Sequence, residues 1–353
     1  MKKIIKLIFV IAGCLVWTSC SNNDFTEIES SVKVVSASTA ISAAGGTGNI
    51  VVTSANPISA YASDNWLKVT TSGSKVDFSA IPNPNSESRN TTVVIKGGSD
   101  STIVNVKQYG SIFKLDMSST SLYSKDAGGK RAYKMFSNLP VTLNPGADWL
   151  TATSDNDSLY VTFAPNTTGK PRQTTLVYSY GETTDTLDVL QMDASYLNGD
   201  WKWDVYEYNL STFDIIENVY DVKATVNATN DSVALAISYS DYTLNMKAAF
   251  KQGKLVFEGG QALTKVEATS FYYACPTAYK SGVVTTLSNI SISAPYISSN
   301  GYTIYSFSDD GLWTDSFDGF AILNFESLAD VANLNYKSLL NFWYFPTLYR
   351  VEN

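Results

Sequence analysis

The feature that most constrains the fold of this 353-residue chain is an internal repeat. Adding 83 to many positions in the first third gives the same residue type in the second third, as from Trp66 to Trp149. The matched pairs include Gly45 and Gly128, Pro82 and Pro165, Arg89 and Arg172, and Gln108 and Gln191. One offset held over so long a span indicates a tandem duplication. Residues 34–193 therefore have to build one fold twice.

Each copy carries the pattern of short β-strands. Segments rich in β-branched residues alternate with breaks of Gly, Pro, Asn and Ser. These segments are 49–53, 91–95 and 102–106 in the first copy and 159–163, 175–178 and 186–190 in the second. Neither copy has a sustained 3.6-residue period. About 80 residues with these features predict a small β-sandwich.

The last part of the chain, 195–353, predicts a larger β-domain. Alternation places Trp201, Trp203 and Val205 on one face of a strand and Lys202 and Asp204 on the other. The alternation continues at 222–226, 233–239 and 242–250, and hairpin signals stand at Gln252-Gly253 and Asn300-Gly301. We expect an antiparallel β-barrel or sandwich. The aromatic tail, 334–349, has no clear period and is either a short helix or a packed terminal strand.

The repeated motifs resemble the BACON domain, a Bacteroidetes-associated module. They are Gly-Gly, an Asp-Asn-Trp-Leu or Ala-Asp-Trp-Leu stretch, Pro-Asn, Arg, and a closing Val-x-Val-x-Gln ending at Gln108. The copies span 34–110 and 111–193, and the second lacks the final Gly after Gln191. The resemblance implies immunoglobulin-like β-sandwiches on envelope lipoproteins, often in polysaccharide-utilisation systems, with either a glycan-binding or a spacer role. The Leu-x-Gly-x-Trp opening at 197–201 and the segment 254–261 are similar to lipocalin-like β-domains of Bacteroidetes lipoproteins.

The N-terminus predicts an exported lipoprotein. A Lys-rich start and an apolar run of about a dozen residues end at Cys20, where a polar stretch begins. The run is shorter than the roughly 20 residues that cross a bilayer as a helix. Residues 1–19 are interpreted as the signal peptide and 20–33 as the lipidated Cys20 with its tether. Cys14 fits the usual motif better, but cleavage there would leave apolar residues at the new end, so we favour Cys20. The expected location is the outer membrane, on the cell surface.

Charge and the lack of histidine exclude several functions. The chain has 25 Lys and Arg against 33 Asp and Glu, and loss of the signal peptide's three lysines changes its net charge from −8 to −11. Such a surface repels phosphate backbones, so nucleic acid is excluded as a partner and membrane contact is left to the lipid anchor. Without histidine, Ser-His-Asp and Cys-His catalysis and histidine zinc sites are excluded. We expect no cofactor and no metal. Cys275 is predicted to be a buried apolar residue.

One acidic, aromatic loop is the predicted ligand-binding site. Trp313 is flanked by Asp309, Asp310 and Asp315, and sugar rings pack on aromatic faces while their hydroxyls pair with polar groups. Core packing of Trp313 is the alternative. Together with Asp318, these carboxylates can also be interpreted in two other ways. They are either ordinary turn residues or the catalytic pair of a glycoside hydrolase. The duplicated tryptophans of the repeat are expected to pack within the sandwiches.

Four Asp-Ser or Asp-Thr pairs resemble the O-glycosylation motif of exported Bacteroidetes proteins. The acceptors would be Ser101, Ser158, Thr186 and Ser232. The alternative is that such pairs merely begin strands after turns.

The sequence predicts a non-catalytic envelope lipoprotein that binds glycans or assists a polysaccharide-utilisation system. The two sandwiches would act as a spacer, and the C-terminal domain would meet the carbohydrate. A structural or protein-contact component of an envelope complex is the alternative, and a carboxylate-dependent glycoside hydrolase is a third.

Overall fold

The computed structural model describes residues 31–117, 121–155, 157–208, 215–278, 281–311 and 313–352, with the backbone alone at 208 and 215–220. The predicted signal peptide and Cys20 lie outside the described residues. The described chain is all-β, with one short α-helix and one 3₁₀ helix. It divides into two compact units: the first ends at Gly110 and excludes 84–86, and the second comprises 84–86 and the chain from Ser111 onward. No helix in the described ranges is long and apolar enough to cross a bilayer.

The first unit is a β-sandwich of two four-stranded sheets, with strand orders β1-β3-β6-β5 and β2-β8-β7-β4. Its strands are β1 (Lys33–Ser38), β2 (Ala40–Ile41), β3 (Gly46–Thr53), β4 (Ile58–Ala62), β5 (Leu67–Ser72), β6 (Lys75–Ala80), β7 (Arg89–Gly97) and β8 (Asp100–Gln108). All neighbours are antiparallel except β2 and β8, which run parallel. Alternate residues of facing strands, such as Ile50, Val52, Val93 and Ile95, fill the core between the sheets.

The second sandwich repeats this arrangement strand for strand. Its strands are β9 (Phe113–Asp116), β10 (Ser121–Ser124), β11 (Gly129–Ser137), β12 (Val141–Pro145), β13 (Leu150–Ser154), β14 (Ser158–Phe163), β15 (Arg172–Tyr180) and β16 (Thr183–Gln191). The sheets have the orders β13-β14-β11-β9 and β10-β16-β15-β12, again with one parallel pair, β10 and β16. Adding eight to each strand number of the first sandwich gives the strand orders of the second. The predicted duplication and the immunoglobulin-like sandwich fold are confirmed.

The repeated glycines have a steric reason. Gly45 and Gly128 adopt φ of +84° and +71°, a backbone region that side chains disfavour. A Cβ at Gly45 would lie 2.5 Å from the carbonyl oxygen of Ala80, and one at Gly128 would lie 2.4 Å from that of Phe163. The turn before β3 and before β11 therefore requires glycine in both copies.

The rest of the second unit is one large curled sheet, entered through a 3₁₀ helix, Ala194–Leu197. Its strands are β17 (Gly199–Tyr208), β18 (Ile215–Thr229), β19 (Ser232–Tyr239), β20 (Tyr242–Lys251), β21 (Lys254–Glu258), β22 (Gln261–Lys265), β23 (Phe271–Ala278), β24 (Val283–Val284), β25 (Ser291–Pro295), β26 (Ile297–Ser299), β27 (Tyr302–Ser306), β28 (Ser308–Asp309), β29 (Gly319–Phe325) and β30 (Ser338–Val351). A short helix, α1 (Leu328–Ala332), lies between β29 and β30.

The sheet curls back on itself until β22 lies beside β20. β21 pairs with β20, and β22, which follows β21 directly, pairs with β23. The Gln261 amide joins β22 to β20 by accepting from the Lys247 N–H at 2.7 Å and donating to the Lys247 carbonyl at 3.2 Å. The concave face encloses the main core cluster, which includes Trp201, Trp203 and Trp343. The alternation predicted for β17 is thereby confirmed.

The predicted hairpins and the terminal strand are also present. Gln252-Gly253 joins β20 to β21, and Asn300-Gly301 joins β26 to β27, each with positive φ at both turn residues. The tail forms the long strand β30. Its missing period has a physical cause, because Phe345 adopts φ +47° and the pairing with β17 shifts there. Because of this irregularity, the odd-numbered residue Trp343 is buried before Phe345, and the even-numbered residue Leu348 is buried after it.

Candidate ligand-binding site

A cavity of about 810 Å³ lies where the second sandwich meets the curled sheet. One wall is the loop 169–171 between β14 and β15. The opposite wall consists of side chains from the 3₁₀ helix, β17, β18 and the end of β30, with Tyr296 from the turn after β25. Because these segments are far apart in the sequence, only the folded second unit brings them together.

The Arg350 side chain is held in this cavity by two aromatic rings and two backbone carbonyls. Its guanidinium lies 4.1 Å from the Tyr196 ring centre and 4.3 Å from that of Trp201. It also donates to the carbonyl oxygens of Tyr196, at 2.6 Å, and Asn198, at 3.4 Å. The register that pairs Lys202 with Tyr349 places Arg350 opposite Trp201 on the neighbouring strand. Cation–π stacking and carbonyl bonds together fix the plane of the guanidinium.

Acidic and basic side chains face each other at the rim. Lys202 lies directly opposite Lys223 across β17 and β18. The Lys202 ammonium is 2.8 Å from the Asp221 carboxylate, which also accepts from the Tyr349 hydroxyl. These two donors hold the pKa of Asp221 below its ordinary value, so the carboxylate stays charged at neutral pH. The rim therefore combines fixed charges of both signs.

Tyrosines form the aromatic part of the site. Tyr296 is half-buried, with its ring 6.2 Å from that of Tyr305 and 6.5 Å from that of Tyr196. Tyr196 shares a hydrogen bond of 3.2 Å with Thr303, which in turn donates to Glu352 at 2.9 Å. Burial raises the pKa of Tyr296, so its hydroxyl is neutral over the physiological range. An aromatic surface beside paired polar groups is suited to bind a sugar ring.

A second polar cluster lies on the concave face of the curled sheet. The Tyr239 hydroxyl donates to Glu207 and accepts from the Asn341 amide. Burial, and then the Glu207 carboxylate, raise the pKa of Tyr239 to about 12. Its ring packs edge-on against Trp343 at 5.1 Å. The cluster links β17, β19 and β30 by hydrogen bonds, so we interpret its role as structural.

The loop predicted to bind ligand lies elsewhere, between β28 and β29. Trp313 is half-buried and packs against the core of the curled sheet. Asp309 accepts from the Gly311 N–H at 2.7 Å and the Phe317 N–H at 2.6 Å, while Asp318 accepts from Thr277 at 2.8 Å. These bonds organise the loop, as the turn interpretation predicts. Asp310 is exposed and Asp315 half-buried, and none of these residues lines the cavity.

The duplicated polar residues form one network in each sandwich. Arg89 donates to the Gln108 side chain at 2.9 Å and lies 4.5 Å from the Trp66 ring centre. In the second copy, Arg172 donates to Gln191 at 2.9 Å and lies 4.4 Å from the Trp149 ring centre. The repeated Trp, Arg and Gln thus have a packing role in both copies, as predicted for the two tryptophans.

The other predicted residues have simple surroundings. Ser101, Thr186 and Ser232 are exposed and Ser158 is half-buried. Three of them stand at or next to the start of a strand, while Thr186 lies inside β16. Cys275 is fully buried, and burial raises its thiol pKa to about 12, so the predicted apolar role is confirmed. In the described part of the chain, no group of three or more Cys, Asp and Glu side chains is arranged to hold a metal ion.

Two segments, 54–109 and 140–191, match the BACON family, described as "Putative binding domain, N-terminal". Each lies within one sandwich, so the chain contains BACON domains, as the resemblance predicts. No curated protein matches the sequence. Among solved structures, the I9-I11 tandem from titin is similar at 7% identity and TM-score 0.32, over 61% of this chain and 97% of that one. An endo-fucoidan hydrolase of glycoside hydrolase family 107 is similar at 14% identity and TM-score 0.26, over 49% of this chain and 30% of the hydrolase.

Sequence reasoning missed the residues of the cavity. Tyr196 stands in the short connection after the second sandwich, and Arg350 stands beyond the irregularity in β30. The one available signal was the like-charged pair Lys202 and Lys223, each in a strand with alternating residues. The sequence does not give the pairing register of β17 and β18, so it could not predict that these two lysines are neighbours.

Proposed function

We propose that this chain is a non-catalytic glycan-binding lipoprotein of the cell envelope, whose binding site is the cavity beside Arg350. The two BACON domains serve as a spacer between the lipid anchor and this site, and the curled sheet corresponds to the lipocalin-like resemblance. The observation that carries the proposal is the open cavity itself. It combines tyrosine rings with fixed charged groups, which is the chemistry that recognises sugars.

The cavity also has the size that the proposal needs. Small-ligand sites commonly enclose about 300–1,000 Å³, and this one is about 810 Å³. One wall comes from the second sandwich and the other from strands of the curled sheet, and both belong to one compact unit, so the site is largely formed before a ligand arrives. A preformed site loses little conformational entropy on binding.

The test is binding of the full mature chain to a panel of polysaccharides by affinity electrophoresis, followed by calorimetry with matched oligosaccharides. Tyr296→Ala should abolish or strongly weaken binding, since it removes an aromatic surface of the cavity. Tyr61→Ala is the matched control, because Tyr61 is 51% exposed and lies on the first sandwich. Trp313→Ala tests the acidic loop. Loss of binding in Trp313→Ala alone would move the site to that loop, and no binding to any glycan would refute the proposal.

The anchor and the predicted glycans are tested together by intact mass spectrometry of protein from its native host. The lipid on Cys20 and sugars on Ser101, Ser158, Thr186 or Ser232 each add a defined mass to the 20–353 polypeptide. Cys20→Ser should remove the lipid increment only. A mass equal to the lipidated polypeptide would contradict glycosylation, and an unmodified cytoplasmic chain would contradict the envelope assignment.

A further inference from the structure

We propose that the cavity selects glycans that carry anionic substituents, carboxylates or sulfates, and that Arg350 and Lys223 each recognise one of them. This inference rests on the proposed function and names the ligand class of the same site.

The charge of the cavity differs from that of the chain. Acidic residues outnumber basic ones 33 to 25 in the whole sequence. Among the residues that line the cavity the order is reversed. Its basic residues are Lys170, Lys202, Lys223 and Arg350, and its acidic residues are Asp200, Asp221 and Glu352. An acidic protein that gathers cations in one concavity concentrates anionic ligands there.

The acidic residues of the lining already have donors within the protein. Asp221 accepts from Lys202 and Tyr349, and Asp200 accepts from Thr225 at 3.3 Å. Glu352 accepts from Thr303 at 2.9 Å. These bonds hold the three carboxylates in place, and none of the three forms an ion pair with Lys223 or Arg350.

Arg350 is prepared to bind an anion. An arginine has five N–H donors, and the two hydrogen bonds of Arg350 both go to uncharged carbonyl oxygens. In the described part of the chain its guanidinium has no carboxylate partner. The planar fork matches the oxygens of a carboxylate or a sulfate, and the stacking on two rings already fixes its orientation.

Lys223 supplies a second cation of the lining, on the strand face of Lys202 and not on that of Trp201 and Arg350. It lies opposite Lys202 in the strand register, and like charges in that position repel each other. Asp221 offsets the charge of Lys202, while Lys223 has no ion pair with the described residues. A bound anion would relieve this repulsion, so a negative charge on the ligand should strengthen binding at this position.

The experiment compares charged and neutral forms of one polymer by calorimetry on the full mature chain. The probes are oligogalacturonate against its methyl ester, and dextran sulfate against dextran. We expect the charged form of at least one pair to bind about tenfold tighter, as for one charge-assisted hydrogen bond. The pair that shows the difference identifies carboxylate or sulfate as the recognised group.

Variants locate the effect. Lys223→Gln should weaken binding of the charged form about three- to tenfold and leave the neutral form unchanged. Lys265→Gln, at an exposed lysine outside the cavity lining, should change neither. Arg350→Lys keeps the charge but loses the fork, and it should also weaken the charged form. If this variant fails to fold, Lys223→Gln alone decides.

Two outcomes would overturn the inference. Equal, Tyr296-dependent binding of charged and neutral forms would leave the glycan-binding function standing and remove the anion selectivity. Equal weakening by Lys223→Gln and Lys265→Gln would show that only general charge attraction operates. Absence of binding by any glycan would refute the proposed function as well.

Discussion

Single buried polar residues explain why the duplication kept its sequence signature. The Gln108 amide donates to the carbonyl oxygens of Ser42 and Ile81. The Gln191 amide donates to those of Lys125 and Ala164, which are the same positions 83 residues later. Asn83 and Asn166 likewise donate to backbone carbonyls four residues ahead, each at 2.8 Å. All four side chains are themselves buried, so the loss of any one of them removes hydrogen bonds that are shielded from water.

The Gln191→Ala change should therefore lower the free energy of unfolding of the second unit by about 2–4 kcal/mol, because it removes a buried side chain that bonds to Arg172 and to three backbone carbonyls. Gln173→Ala is the matched control, since Gln173 is exposed on the neighbouring strand. It should cost no more than about 0.5 kcal/mol. Chemical denaturation followed by tryptophan fluorescence measures both. Equal effects would show that the network adds nothing.

The Cys275 thiol should be inert in the folded protein. Burial raises its pKa from 9.0 to about 12, so the thiolate that reacts is scarce at pH 8. In a Cys20→Ser variant without the signal peptide, a thiol reagent should label Cys275 only after unfolding. Since the folded pKa is raised, the stability that the neutral thiol contributes is full below about pH 9 and is lost as the pH rises toward 12. Rapid labelling of the native protein at pH 8 would contradict this.

At the scale of elements, the second half of β30 depends on one irregular residue. Trp343 is buried before Phe345, and Leu348 is buried after it with the opposite parity. Phe345 itself is 54% exposed, so its contribution is the backbone geometry and not the ring. A shift of one residue in a strand moves every following side chain to the other face. The irregularity is therefore what places both Trp343 and Leu348 on the concave face.

Deletion of Phe345 should turn Leu348 and Arg350 away from their present positions and destabilise the second unit by more than about 3 kcal/mol. Phe345→Gly keeps the residue count and suits the positive φ, so its effect should stay within about 1 kcal/mol. Thermal denaturation of the two variants distinguishes them. If both lose the same stability, the ring of Phe345 and not the register is what matters.

At the scale of the whole molecule, the second sandwich and the curled sheet share packing. Tyr123 of β10 packs against Phe250 with ring centres 6.2 Å apart, and its hydroxyl donates to the Met192 carbonyl at 2.9 Å. Lys125 and Asp231 add an ion pair at 2.8 Å between the same two parts. The core cluster of the curled sheet accordingly includes Met192 and Ala194 from the connection. The first sandwich has a core of its own.

Calorimetry of the full chain should show two transitions, one for each compact unit. Tyr123→Ala should lower the melting temperature of the second unit only, because it removes a packed ring and a buried hydrogen bond, at a cost of about 2–4 kcal/mol. Tyr61→Ala, at an exposed tyrosine of the first sandwich, should change neither transition by more than about 1 °C. A shift of both transitions in Tyr123→Ala would contradict this division.

Local patterns predicted most of the fold, and non-local contacts account for what they missed. The constant offset from Trp66 to Trp149 predicted two equal sandwiches, and alternation predicted the buried face of β17. The tail stayed ambiguous because Phe345 interrupts the alternation. The cavity was missed because Tyr196, Lys223 and Arg350 meet only through strand register and through the packing of a 3₁₀ helix, which no short window of sequence contains.

The parallel pairs β2 with β8 and β10 with β16 have a mechanical consequence. Tension along the polypeptide pulls two parallel neighbours in opposite directions along their length, so their hydrogen bonds are loaded in shear and break together. In antiparallel neighbours pulled from one end, the bonds open one after another. The second pair aligns four residues of each strand and the first only two. Under tension applied to the two ends of the chain, the first sandwich should yield before the second.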